Sequence, residues 1–398
     1  MLRPAWLEIN LSALADNVHN LKSVLSPHQQ IIAVVKANAY GHGAVPVSRV
    51  ALAAGAGRLA VALVEEAQEL RAAGCTSPLM CLGATPPEAA PILVDQHIEA
   101  PLTDLAGARA LSEAGRAAGR PAPVHLKIDT GMHRLGVRAE EIGPFCEALL
   151  ELPGLEIVGV FTHFSSSQID PEFTLAQLAS FKHAVAEAER VLGFRIPLRH
   201  VCNSGATVRY PEAWLDAVRP GALLYGIPRD RGGLYMPEMR PVLALKAKLA
   251  VIKPLSTGES VGYDRTWRAP HDTCLGLLPL GYADGYDRLL SNRGSNADRH
   301  GPGIDIVKAV GGFALPIEHS VSGKHQSRAD DTGRHRDRGQ HAQPFGTVGE
   351  SAHRSPVASD ETDGGGTRTP VPRTGGGLPF GAPALRISAA VSGAVRRA

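Results

Sequence analysis

The sequence predicts an α/β fold, a (β/α)8 barrel of the TIM type followed by a β-rich C-terminal domain that breaks off incomplete. Three observations predict it. Eight short apolar runs, of the kind a buried parallel strand shows, alternate with helical stretches over about 220 residues, the usual size of such a barrel. Lys36, Arg134, His163, Ser204 and Arg219 stand at or just past the C-terminal ends of those runs, the rim where this barrel class builds its sites. From Arg240 the apolar period drops to two, which marks a half-exposed antiparallel strand.

The elements follow in order. Leu11, Leu14, Val18, Leu21 and Leu25 recur at helical spacing, and Asn10 or Ser12 can cap a helix over Asn10 to Leu25. The run IIAVVK ends on Lys36, and RLAVALV (Arg58 to Val64) leads into the helical EEAQELRAAG, which stops at Gly74. PLMCLG, the weaker IEAPL and VHLKIDT (Val124 to Thr130) come next. IVGVFTHF (Ile157 to Phe164), LRHVCNS (Leu198 to Ser204) and AVRPGALLYG (Ala217 to Gly226) complete the eight. Helices such as QLASFKHAVAEAERVLG separate most of them.

Residues 1–235 are thus expected to form the barrel, with 1–9 able to join the β-domain, and 236–296 to begin that domain. Leu243, Leu245, Ala247 and Leu249 alternate with Lys246 and Lys248, then CLGLLPLGYADGY follows a turn at Ser256–Gly258. After Asn296 no Tyr, Trp or Cys occurs, and Leu remains only at Leu315, Leu378 and Leu385. Segments such as GKHQSRADDTGRHRDRGQHAQ and ETDGGGTRTPVPRTGGG bury too little apolar area to offset ~1–2 kcal/mol of backbone entropy per ordered residue. Residues 297–398 therefore read as an atypical tail, either naturally disordered or translated out of frame from a G- and C-rich gene. The abrupt break in a domain just begun favours the second.

Composition excludes several function classes. A net charge of +2 in 398 residues gives no argument for a nucleic-acid or membrane partner. The start MLRPAWLEIN lacks the apolar core of a signal peptide, and no apolar stretch approaches the ~20 residues that span a bilayer, so a cytoplasmic protein is expected. Five scattered cysteines without ligand spacing read as buried thiols. His42, His133 and His200 read as structural or peripheral, and three loose histidines make no metal site.

The sharpest chemical signal is VVKANAYGHG, Val34 to Gly43. A lysine at the end of a buried strand has little water around it, which favours the neutral amine that condenses with an aldehyde cofactor. On residue types alone, a lysine snorkelling from a strand end is an equal reading. The whole string resembles the cofactor-lysine motif of the alanine racemases. The resemblance continues in order to about residue 295, through KIDTGMHRLGV, GVFTHF, HVCNSGAT, VRPGALLYG, VGYDRTW and LPLGYADGY.

That resemblance implies an enzyme interconverting L- and D-alanine with pyridoxal 5'-phosphate, supplying D-alanine for peptidoglycan. It implies two bases, Lys36, which also carries the cofactor, and Tyr263, supplied by the partner of a homodimer. His163 and Arg219 resemble the pair between Tyr263 and the pyridine nitrogen. Tyr40, Ser204, Gly221 and Ala222, with Asn203 beside them, resemble the phosphate site, and Arg134 the contact to the substrate carboxylate. Lys127 matches a position often carbamylated in the family, and Tyr282, Asp284 and Arg288 match its subunit contact and entry corridor. The family's substrate-contacting Met-Asp segment and late Tyr have no counterpart after Asn296. The competing readings are a cofactor-binding barrel without racemase activity, a broader amino-acid racemase, and a decarboxylase of the same barrel class. The last usually brings a Cys and an Asp from the second domain, and that pair is not evident here.

Overall fold

The computed structural model describes residues 3–227 and 238–292, and beyond them the segments 295–298, 301–305, 307–309, 313–317 and 387–389. Strand β1 (Ala5–Ile9) comes first, followed by an amphipathic helix, Leu11–Val24. The side chain of Asn10 caps that helix by accepting from the Ala13 amide at 2.9 Å. Leu14, Val18 and Leu21 are fully buried on its inner face, a burial that stabilises by ~1.5–3 kcal/mol per side chain.

Eight parallel strands then close a barrel. They are β2 (Gln30–Val34), β3 (Arg58–Val61), β4 (Leu79–Cys81), β5 (Ile98–Leu102), β6 (Ala122–Asp129), β8 (Leu155–Phe161), β9 (Leu198–His200) and β10 (Ala217–Val218). Strand β7 (Val137–Arg138) is a short addition beside β6. Closure is made by Ala217↔Gln30 and Val218↔Ile31, where β10 meets β2. All eight predicted runs become barrel strands, although in the last only Ala217 and Val218 pair and the rest turns.

Two-residue periodicity sorts each strand into two faces. Ile31, Ala33, Leu59, Leu79 and Val124 join the core beneath the helices. Ile32, Val34, Ala60, Met80, Phe161, Leu198 and Ala217 pack together in the barrel interior. On that inward register fall also Arg58, Glu99, His125, Lys127, His200 and Arg219, so polar groups are brought into the middle of an apolar tube.

The β-rich part continues with β11 (Leu243–Ala247), β12 (Val251–Leu255), β13 (Ser260–Val261), β14 (Trp267–Arg268) and β15 (Thr273–Leu278). Strand β1 pairs antiparallel with β11, Leu7 opposite Leu245, and Lys246 reaches Glu8 at 2.7 Å. The composition break at Asn296 does not end the sheets. Asn296 lies inside β16 (Ser295–Asp298), and β17 (Gly301–Asp305), β18 (Val307–Ala309), β19 (Phe313–Ile317) and β20 (Ile387–Ala389) follow. Strand β19 pairs with β15 from Cys274↔Ile317 to Leu278↔Phe313. Average composition conceals a short run such as FALPI, and backbone pairing needs only that much. The polar segments expected to be most atypical, within 318–386, lie outside the described residues.

Candidate active site

Lys36 stands two residues past the end of β2, half-buried at the rim. The chain then does something the sequence did not reveal. Ala37, Asn38, Ala39 and Tyr40 are all left-handed, with φ of 52°, 52°, 54° and 54°. Such residues cost ~1–2 kcal/mol each, so neighbouring groups must hold them in place. The Glu66 carboxylate accepts from the Ala37 amide at 2.5 Å and also from Ala62 and Leu63 at 2.8 and 3.1 Å. Asn38 Oδ1 accepts from the Ala44 amide at 2.7 Å. This single left-handed turn carries Tyr40 to the rim, with its hydroxyl beside Gly221.

There Tyr40 meets the loops after the last two strands. A Cβ on Gly221 would stand 2.5 Å from Tyr40 Oη, so only glycine lets the hydroxyl approach this backbone. Ser204 Oγ accepts from the Gly221 amide at 2.9 Å and from the Leu223 amide at 3.2 Å, with Ala222 between them. Asn203 caps the turn that carries Ser204, accepting from Ala206 at 3.0 Å and from Ser167 Oγ at 2.8 Å. Two hydroxyls thus meet beside a backbone turn whose amides are directed at Ser204 Oγ, where a phosphate oxygen could take that oxygen's place.

On the other side of the mouth, cations gather. His163 is held well below its usual pKa by burial and then by Arg219, Lys127, Arg134 and Lys36. Lys127 is buried, with its Nζ 4.6 Å from the centre of the Phe161 ring. Burial, then Arg219 and Arg134, push its amine down to about 7, against a smaller opposing pull from Asp129. Arg134 itself is exposed, on a loop tied by Asp129 Oδ1, which accepts from the amides of Gly131, Met132 and His133 at 3.0–3.1 Å. His133 adds a contact to Asp129 Oδ2 at 3.2 Å and remains peripheral.

Arg219 is buried, and burial brings its guanidinium down to about 10, still cationic at neutral pH. Nη1 donates to His200 Nδ1 at 2.8 Å and to the His200 carbonyl at 2.7 Å. Nη2 donates to the carbonyls of Thr162 and Val201 at 2.7 and 3.1 Å and lies 3.5 Å from His163 Nδ1. Both Nη nitrogens are occupied by the scaffold, which fixes the guanidinium plane at the rim. His200, read from the sequence as structural or peripheral, is fully buried and is Arg219's side-chain partner. His42 is buried beneath the mouth, its ring 4.5 Å from that of Tyr225.

Tyr263 lies apart from these residues in sequence and setting. It opens a short turn in the β-rich part after Gly262 (φ 72°), and it is 68% exposed. Tyr282 is likewise exposed, whereas Asp284 is tied to Arg3. Glu66, Asp129, Glu99 and His125 went unassigned in the sequence. The available signal was a charged or imidazole side chain inside an apolar strand, Glu99 in IEAPL and His125 in VHLKID, since such a group must find a buried partner.

Comparison with known proteins agrees with this geometry. The family model described as alanine racemase, N-terminal domain, matches residues 9–228, and that of the C-terminal domain matches 242–311. The chain belongs to the alanine racemase family. It is 43% identical over 293 residues to the alanine racemase of Desulfovibrio desulfuricans, covering 73% of this chain and 78% of that one. With the alanine racemase of Desulforamulus reducens it shares 41% over 300 residues, 74% and 80% of the two chains. Among solved structures, the alanine racemase from D-cycloserine-producing Streptomyces lavendulae superposes with a TM-score of 0.73 at 34% identity, covering 80% and 85%. That of Bacillus anthracis with bound L-Ala-P gives 0.70 at 31%, covering 80% and 83%. The C-terminal match extends past Asn296 to residue 311, across β17 and β18.

Proposed function

We propose that this chain interconverts L- and D-alanine with pyridoxal 5'-phosphate as cofactor, as a dimer in which each subunit completes the other's site. The observation that carries the proposal is the barrel mouth itself. Lys36, Lys127, Arg134 and Arg219 surround His163 on one side, and the Tyr40–Ser204–Gly221 cradle lies among the rim loops. The site therefore suits a small ligand with a phosphate at one end and a carboxylate near the other. The donor set fits the cofactor, with hydroxyls and amides for a phosphate, an amine at the rim, and a guanidinium that only donates.

The cofactor, when bound, supplies an aldehyde for an amine and an electron-withdrawing ring for the α-carbon of alanine. This chain's residues do the rest. Lys36 would hold that aldehyde and afterwards carry a proton at the D-face of the α-carbon. Tyr40, Ser204, Gly221 and Ala222 would bind the phosphate, with Asn203 bracing their turn. Arg219 keeps its protons, and both its Nη groups are engaged by the scaffold. Its Nε–H would be the one to meet the ring nitrogen, hydrogen-bonding without protonating it and so restraining electron withdrawal. Arg134 would take the substrate carboxylate. Lys127, with its pKa near 7, is neutral in about half of the molecules at pH 7. A neutral amine adds to carbon dioxide and releases one proton, and the carbamate so formed would orient Arg134.

Tyr263 would act at the L-face from the partner subunit. Its 68% exposure in a single chain suits a side chain directed at another molecule. A phenol acts as a base only once deprotonated, and a partner's cationic mouth favours the phenolate. In the corresponding domain division the barrel lies within residues 1–235, with 1–9 joining the β-domain that begins over 236–296 and carries Tyr263. Among the described residues no helix is long and apolar enough to cross a membrane.

The test is direct. The full chain with added pyridoxal 5'-phosphate should develop a visible absorption band, and borohydride should fix the cofactor to Lys36. In deuterated water it should form D-alanine from L-alanine with the label at the α-carbon. An adduct on another lysine, or no D-alanine from a loaded dimer, would sink the proposal.

A further inference from the structure

Beneath the rim, the barrel interior holds a polar chain that the reaction as described does not use. Arg219 Nη1 contacts His200 Nδ1 at 2.8 Å, and His200 Nε2 contacts His125 Nδ1 at 3.1 Å. His125 Nε2 contacts Glu99 Oε2 at 3.0 Å, and Glu99 Oε1 is paired with Arg58. Both histidines are completely buried, and Glu99 is 8% exposed. Phe161 stacks on His200 with centroids 5.1 Å apart and planes 5° from parallel, and stands edge-on to His125. Gly159 makes the chain possible, since a Cβ there would lie 2.2 Å from His125 Nδ1.

The direction of this chain follows from donor chemistry. A guanidinium only donates, so His200 Nδ1 must accept and its proton must sit on Nε2. That proton points to His125 Nδ1, which must accept in turn, leaving the His125 proton on Nε2 and directed at Glu99. Arg58 also only donates. Two donor-only ends joined through two neutral imidazoles need one unit that accepts on both sides, and a carboxylate is that unit. Burial, then the charges of Arg58 and Arg219, hold His125 down to about 3, so it stays neutral across the working range. His200 is likewise held far down by burial and by Arg219.

We propose that Glu99 is a positioning residue for the racemase site, setting the proton placement of His125 and His200 and, through them, the orientation of Arg219. The proposal rests on the reading that Arg219 faces the cofactor, although its first readout does not. The informative variant is Glu99→Gln. Its amide has one oxygen and one nitrogen to offer, and the Arg58 cation takes the oxygen. The amide N–H then faces His125 Nε2, which must become an acceptor. The chain reverses, and a proton on His200 Nδ1 is driven against the Arg219 N–H.

The experiment uses histidine-specific nitrogen-15 NMR of the full chain, with and without pyridoxal 5'-phosphate. In the native protein two buried histidines should be neutral with the proton on Nε2, and neither should titrate near pH 6.5. Glu99→Gln should replace this spectrum with one containing an Nδ1-protonated form and should weaken cofactor binding roughly tenfold or more. Adding Arg58→Met to Glu99→Gln frees the introduced amide's oxygen to face His125. The double variant should then regain the Nε2-protonated spectrum and most of the affinity. Retention of the native spectrum by Glu99→Gln overturns the proposal, whatever its melting temperature or affinity. So does a reversed spectrum that Arg58→Met fails to restore. If the native chain has the expected tautomers but binds no cofactor, the functional reading fails, and with it the role in the racemase site, while the placement of the histidine protons by Glu99 stands.

Discussion

Gly221→Ala probes the proposed phosphate cradle with one added carbon. The Cβ would lie 2.5 Å from Tyr40 Oη and 3.1 Å from its Cζ, so the tyrosine must retreat by about 1 Å to reach ordinary contact. It can do so cheaply, because Tyr40 is 36% exposed and the change is a swing of one ring toward solvent. Gly221 does not use a left-handed φ, so alanine suits its backbone, and fewer unfolded conformers would stabilise the variant by ~0.4–1 kcal/mol. The ligand-free protein should therefore melt within a few degrees of the parent. Binding should suffer instead. Displacing the hydroxyl forfeits one hydrogen bond to a charged group, ~1.5–3 kcal/mol, or roughly ten- to hundredfold in affinity. Equilibrium titration of the ligand-free chain with pyridoxal 5'-phosphate, followed by absorbance, measures this. Tyr40→Phe should lose a similar amount, and combining the two should add little, since both remove the same bond. A Kd within twofold of the parent, or fully additive losses, would refute the cradle.

Three further outcomes follow from the same structure. The folded-state pKa values of His125, His200 and His163 lie below the unfolded value of ~6.5. In that window the unfolded chain binds more protons, so stability is intact above about pH 6.5 and falls toward pH 3. His125 alone costs up to about 5 kcal/mol across that range; urea midpoints that stay flat from pH 7.5 to 5 would contradict it. Asp129→Ala releases three loop amides and should cost ~1–3 kcal/mol while raising KM for alanine more than it lowers kcat, because Arg134 loses its tether. An unchanged KM in steady-state kinetics would remove Asp129 from the site. Tyr263→Phe should bind cofactor normally yet lose α-proton exchange from L-alanine by ~10²-fold or more, as deuterium incorporation would report; exchange at the parent rate would end its assignment as a base.

The strands, the first helix and the rim residues were legible because their signals are local. A buried parallel strand must be continuously apolar, and a surface helix must repeat its apolar residues every three or four positions, whatever surrounds them. Lys36, Ser204 and Arg219 were legible for a related reason, since each follows the end of such a run. The left-handed turn from Ala37 to Tyr40 was not, because alanine and tyrosine give no local sign of φ near 53°. Glu66, supplied from another element, and the Asn38 side chain on the Ala44 amide hold that conformation in place.

Asn296 teaches the opposite lesson. Composition there turns abruptly, yet β19 still pairs with β15 on one side and β18 on the other, because five residues suffice for backbone pairing whatever follows them in sequence. The barrel, its rim and the residue types available for chemistry could be read along the chain, because apolar period and chain direction are properties of consecutive residues. That Arg58, Glu99, His125, His200 and Arg219, drawn from five strands or their ends, form one directed chain could not. Barrel closure sets which inward side chains face each other, and the donors and acceptors then leave a single arrangement of protons.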